Sequence, residues 1–156
     1  MTEELVSQKY KKIQDVHGLP HLSRLTETFG FDLEGDEEIM EQIREEVSDK
    51  IFSFSEKIIE PIIIGMDSYS SWFEQEMVDD KEKGKLFDLY RKIQALKWEN
   101  NLLSMKNDEA KSADWIKKTW ELWNGELETT LVALCESLSK GWSELKVEKS
   151  KKNYFG

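Results

Sequence analysis

A single cysteine, Cys135, leaves this 156-residue chain no internal disulfide. A reducing, cytoplasmic compartment fits that count. One cysteine and two histidines also fall short of a four-ligand zinc site without carboxylates. No apolar run approaches the length of ~18 residues that a membrane helix needs, so no membrane span is expected. Met1 is followed by "TEELVSQKYKK", which lacks the apolar core of a signal peptide, and no leader is expected. Two prolines and eight glycines are too few for a turn-rich all-β domain. Glycine-rich phosphate loops are missing too. The one Gly-Lys pair, Gly84-Lys85, is followed by Leu86. Basic residues are outnumbered, and the net charge is −10. The last eleven residues carry +3, which leaves −13 on the rest. An acidic body repels phosphates, so direct nucleic-acid binding is not expected. Residues 149–156 read as a basic, frayed tail on a single helical domain spanning 1–148.

What is present points to helices. Six Trp and seven Phe argue against disorder. Leu5, Val6, Tyr10, Ile13 and Val16 recur at helical spacing until Gly18 and Pro20 end the run. Leu22, Leu25 and Phe29 make a short second helix, with Gly30 placed to close it. Asp36 is placed to cap the helix that follows, with Glu37 and Glu38 in its first turn. Ile39, Met40, Ile43, Val47, Ile51, Phe54, Ile58, Ile62, Met66, Tyr69, Phe73 and Met77 then step by three or four on one face. The phase does not reset at Pro61, which predicts one long helix kinked there. Around the proline, Ile58, Ile59, Ile62, Ile63 and Ile64 point nearly all the way round. A helix apolar on all sides must be enclosed, and Glu60 within it needs a partner. A central strand is disfavoured by the proline and by the lack of a partner strand.

"DDKEKGK" reads as a charged connection, with a helix from Lys85 to about Lys106. That helix has two apolar stripes: Leu86, Leu89, Tyr90, Ile93, Leu96 and Leu103, and separately Phe87, Trp98, Leu102 and Met105. Two stripes imply two neighbours. Asn100 falls on the first stripe, either paired in the core or at its rim. Asp108 or Ser112 caps the last helix. There Ile116, Trp120, Trp123, Leu127, Leu131, Leu134, Cys135, Leu138, Trp142 and Leu145 share a face for about eight turns. Gly125 interrupts it, and Thr130 and Gly141 leave room for a close neighbour. Cys135 on that stripe reads as a buried, inert thiol.

Catalytic constellations are scarce. His17 and His21 are four apart, but Gly18 and Pro20 between them put them in a turn. Asp32 to Asp49 holds nine acidic residues and one Arg. A calcium loop on Asp32, Glu34 and Asp36 would need glycine at 37, and the glycine is at 35. "EIME" supplies Glu38 and Glu41, and "EMVD" supplies Glu76 and Asp79. This pattern loosely resembles that of the all-α nucleotide pyrophosphohydrolases of the MazG and dimeric dUTPase type. The resemblance implies a magnesium site on those four carboxylates and hydrolysis of a nucleoside triphosphate. Glu38 and Glu41 lie opposite the core stripe of their own helix, whereas such a site needs them convergent in a cleft.

The expected fold is all-α: an antiparallel bundle of about three long helices, one kinked at Pro61, plus two short N-terminal ones. The expected role is non-catalytic, without a cofactor, acting through contacts with a protein partner or with further copies of the chain. Candidate interface residues are Ile59, Ile62, Ile63, Ile64, Phe87, Trp98, Leu102, Trp120, Trp123 and Trp142. The magnesium enzyme is the alternative. A second is an acidic decoy that docks on a basic protein groove through Glu37, Glu38, Glu41 and Glu45.

Overall fold

A computed structural model describes residues 2–65 and 68–146 of the chain. All regular structure among them is helical. The order is α1 (Thr2–His17), α2 (Leu22–Phe29), α3 (Ile39–Phe54), a π-helical turn (Ser55–Ile59), α4 (Glu60–Ile63), α5 (Tyr69–Met77), α6 (Asp80–Met105), α7 (Glu109–Leu122), a second π turn (Trp123–Leu127) and α8 (Glu128–Glu144). The basic tail expected over 149–156 lies outside the described residues, as does Met66.

The first two helices follow their punctuation. Val6 and Tyr10 of α1 are buried, while Leu5 and Val16 at the margins of its stripe stay exposed. The Tyr10 hydroxyl donates to the Pro20 carbonyl at 2.5 Å, which ties α1 to the turn after it. Gly30 takes a left-handed φ of 67°, and its N–H donates to the Thr26 carbonyl at 2.8 Å. That conformation favours glycine because no Cβ is in the way. Asp36 does not cap α3. It pairs with Lys9 of α1, and Glu38 stands at the N-cap, its side chain making no capping hydrogen bond to the helix.

Pro61 does sit inside a continuous helical run, but the run is shorter than its phase suggests. Just before the proline the helix widens, and the Glu60 N–H donates to the Ser55 carbonyl, five residues back. Pro61 has no N–H, and in a regular α-helix its ring would strike the Lys57 carbonyl; the wider turn makes room. The run then ends at Gly65, whose φ is 83°. A new helix starts after Ser68, whose hydroxyl accepts from the Ser71 N–H at 3.2 Å. Tyr69, Phe73 and Met77 therefore belong to α5. Periodicity alone does not see this break, because a left-handed glycine followed by a cap resets direction without disturbing a step of three or four.

Nor is the isoleucine cluster enclosed on all sides. Ile59 and Ile62 are buried, Ile58 and Ile63 are partly buried, and Ile64 is exposed at the end of α4. Glu60 has its partner, since the Tyr90 hydroxyl of α6 donates to its Oε1 at 2.9 Å. That hydrogen bond, together with burial, holds the Tyr90 phenol above its ordinary pKa.

α6 begins five residues before the expected start. Asp79 caps it, accepting from the Glu82 N–H at 2.8 Å, so "DKEKGK" is helical and Gly84 lies within it. Lys and Glu are good helix formers, and a capped first turn offsets one glycine. Asp108 caps α7 in the same way, accepting from the Lys111 N–H at 3.0 Å. Gly125 falls in the second π turn, where the Glu128 N–H donates to the Trp123 carbonyl. The two π turns adjoin: Phe54, just before the first, stacks on Trp123 of the second at 5.7 Å between ring centroids. Phe29 of α2 meets the Trp123 ring edge-on at 5.5 Å.

A π turn inserts the equivalent of one residue, so the phase beyond it is displaced by ~100° from a regular helix. Beyond the second π turn the buried side of α8 is narrow. Leu127, Leu131 and Leu134 are buried, but Cys135 is exposed, contrary to the expectation of a buried thiol. Trp142 and Leu145 are also partly exposed. The end of α8 packs on α5, with Phe73 edge-on to Trp142 at 5.8 Å and the Trp142 Nε1 donating to Glu74 at 3.1 Å. The close approach at Gly141 comes from a side chain, since a Cβ there would lie 2.6 Å from the Met77 sulfur.

Candidate interaction surface

The buried stripe of α6 packs inward through Leu86, Leu89, Ile93, Leu96 and Leu103. The second stripe stays in solvent. Phe87, Trp98, Leu102 and Met105 are 55%, 68%, 50% and 77% exposed. At 3.6 residues per turn, positions 87, 98 and 105 fall on nearly one line, opposite the buried stripe. Large apolar side chains scattered singly on a surface are ordinary; three in one line with Leu102 beside them on the same face of a single helix form a ridge. Of the other interface candidates, Ile59, Ile62 and Trp123 are buried within the chain, and Ile63 and Trp120 are partly so. Ile64 and Trp142 are exposed, but neither belongs to the α6 ridge.

The acidic candidates sit elsewhere. Glu37, Glu38 and Glu45 are exposed and Glu41 is half-buried. Glu38 adopts φ 50°, ψ 42°, a left-handed backbone that a residue with a Cβ rarely takes. Its carboxyl shares a hydrogen bond with that of Glu41. This contact, then the charges of Glu41, Glu37 and Glu45, push Glu38 above the usual carboxylate range. The pair lines an open cleft of about 460 Å³ together with Lys9, Lys12, Asn107 and Glu109. Lys9 holds Asp36 below the usual range through a hydrogen bond, and Glu109 pairs with His17 Nε2 at 3.0 Å. His21 instead meets Gln14 at 3.2 Å, so the two histidines part.

Glu38 gives a test with a definite sign. A raised folded-state pKa means that the fold takes up this proton before the unfolded chain does. Stability therefore gains as pH falls through that pKa, and above it the ionised pair opposes folding. Glu38→Gln is expected to raise the melting temperature at pH 7 and to leave it unchanged in acid. Thermal melts at the two pH values measure this; an equal shift at both would show that the ionisation of Glu38 does not carry the effect.

The four carboxylates of the pyrophosphohydrolase-like pattern do not converge. Glu38 and Glu41 share their cleft with Asn107, just past the C-terminal end of α6. Asp79 caps the N-terminal end of that helix. Twenty-six residues separate the two ends as one helix, ~39 Å at 1.5 Å per residue. Glu76 is exposed near the Asp79 end. Among the described residues no three His, Cys, Asp or Glu side chains are grouped to hold a metal ion, and no helix is long and apolar enough to cross a membrane.

One buried group was not legible as such. Arg44, the lone basic residue of the acidic run, is fully buried. Its Nη1 donates to the Asn100 Oδ1 at 2.5 Å, to the Asn100 carbonyl at 3.3 Å and to the Ser104 hydroxyl at 3.5 Å. Burial lowers its pKa, and the charges of Glu41 and Glu45 act in the opposite direction. Its Nε and Nη2, and the hydroxyls of Ser48 and Ser112, are buried without a hydrogen-bond partner. The signal that could have found it is positional: Arg44 falls between Met40 and Val47 on the inward side of α3.

Compared with family models, with curated proteins and with solved structures, the chain matches none.

Proposed function

We propose that this chain is a non-catalytic helical assembly or accessory protein that acts through protein–protein contact, with its own copies or with a partner. Its long helices would form an antiparallel bundle whose outer face on α6 is the working surface. The observation that carries this reading is the ridge of Phe87, Trp98, Leu102 and Met105, exposed on the side of α6 turned away from the core. Exposing such side chains to water is unfavourable by ~25 cal/mol per Å², and a docked protein surface recovers that free energy.

Size measurement in solution, alone and after incubation with extract of the native host, tests it. The wild-type chain is expected to elute in an assembly. A Phe87→Ser/Leu102→Ser chain is expected to elute alone, with stability within about 0.5 kcal/mol per exposed site. A wild-type chain that is a clean monomer and carries no partner counts against the reading.

A second reading keeps the acidic surface as the contact. Its support is the crowding of Glu37, Glu38, Glu41 and Glu45, close enough that the Glu38 carboxyl is held above its usual range. Such a surface would bind a basic partner in a salt-sensitive way.

A further inference from the structure

We infer that the ridge of α6 docks on the same ridge of a second copy of this chain, with the two helices antiparallel. This rests on the assembly reading above and names its partner.

The first observation is area. Large side chains bury about 150–250 Å² each, so at 55%, 68%, 50% and 77% exposure Phe87, Trp98, Leu102 and Met105 present roughly 500 Å². Arg91, exposed, and Gln94, partly exposed, lie on the same line and bring each copy to roughly 700 Å², a little under the ~800 Å² per partner of a standard interface. The second is composition. Aromatics, Met and Arg are the types enriched at the centre of interfaces, and Lys, Glu and Asp are depleted there. The third is charge. A net charge of −10 opposes association of like chains. Yet between Phe87 and Met105 this ridge carries one charged residue, Arg91, and the acidic run belongs to α3 and the segment before it. A strongly basic or acidic partner would find little here to pair with, whereas a second neutral ridge fits.

The spacing also suits a twofold axis. Phe87 and Met105 stand equally far from a point midway between Gln94 and Trp98, ~27 Å apart along the helix. Antiparallel pairing about that point sets Phe87 against the partner's Met105, a sulfur–aromatic contact. Arg91 then faces the partner's Asn101, and Trp98 lies against the partner's Gln94.

Sedimentation equilibrium of the purified full chain from about 1 to about 100 µM tests the stoichiometry, the range over which a modest interface associates. Wild type is expected to dimerise, and Trp98→Glu to raise the dissociation constant roughly 30-fold or more, the effect of losing a central anchor. Circular dichroism melts of the variant keep folding separate from docking. Orientation is read by cysteine cross-linking in a Cys135→Ser background. Arg91→Cys and Asn101→Cys chains are expected to cross-link when mixed and not when either is alone. Three results overturn the inference: a monomer across the range, a dimer that Trp98→Glu leaves intact, or self-linking of either cysteine chain as strong as the mixture. A monomer that still binds another protein through the ridge also overturns it, and leaves the assembly reading standing.

Discussion

Asn100→Leu is expected to destabilise the fold by about 3 kcal/mol. The change removes the one side-chain carbonyl that accepts from the buried Arg44 guanidinium, at 2.5 Å. What remains to Arg44 is the Asn100 main-chain oxygen and the Ser104 hydroxyl, at 3.3 and 3.5 Å. A hydrogen bond to a charged group contributes about 1.5–3 kcal/mol, and a buried charge stripped of its partner costs about 3–5. For a chain of this length that corresponds to a fall of roughly 6–12 °C in the unfolding midpoint. Arg44→Met alone is expected to cost less, because a neutral amide is cheaper to leave unpaired than a charge. The double variant is expected to be more stable than Asn100→Leu, since it removes the stranded charge. A cycle of four thermal melts measures all of this. If Asn100→Leu and Arg44→Met simply add, the two side chains do not depend on one another.

Trp115→Ala comes next and is expected to cost about 3–5 kcal/mol, the range for deleting a buried aromatic. Trp115 is among the largest fully buried side chains, and its Nε1 donates to the Leu96 carbonyl at 2.9 Å. It therefore joins α7 to α6 by packing and by a hydrogen bond together. Trp115→Phe separates the two contributions: it keeps much of the ring and loses the donor, for about 1 kcal/mol. Urea unfolding should show a lower midpoint with an unchanged slope for Trp115→Phe. A loss for Trp115→Ala no larger than for Trp115→Phe would mean that the packing around this ring contributes little.

Several elements were legible because their cause is local. Gly30 and Asp108 act within one turn of their own helices, so residue type and position suffice. The two stripes of α6 were legible because an α-helix repeats every 3.6 residues whatever surrounds it. Other features failed for equally physical reasons. Asp36 has the chemistry of a cap, but Lys9, twenty-seven residues earlier, offers it a charged partner. The phase from Ile39 to Met77 ran through Gly65 because periodicity is blind to a change of direction. Cys135 missed its expected burial because the buried side of α8 runs through Leu131 and Leu134 and stops short of it, so the next residue, ~100° further round, meets solvent.

The amino-acid sequence by itself determined that the chain is helical, that α1 and α2 stop at Gly18 and Gly30, and that α6 carries more apolar faces than one core can use. Those are properties of neighbours within a turn or two. Tertiary structure alone decided which of the two α6 stripes is covered, that Arg44 goes into the core beside Asn100, and that Glu38 and Asp79 stand at opposite ends of a helix. Each of these depends on which helices pack together, and no spacing along the chain encodes that contact directly. The ridge of Phe87, Trp98, Leu102 and Met105 is where both levels meet: periodicity places it, and the arrangement of the other helices leaves it bare.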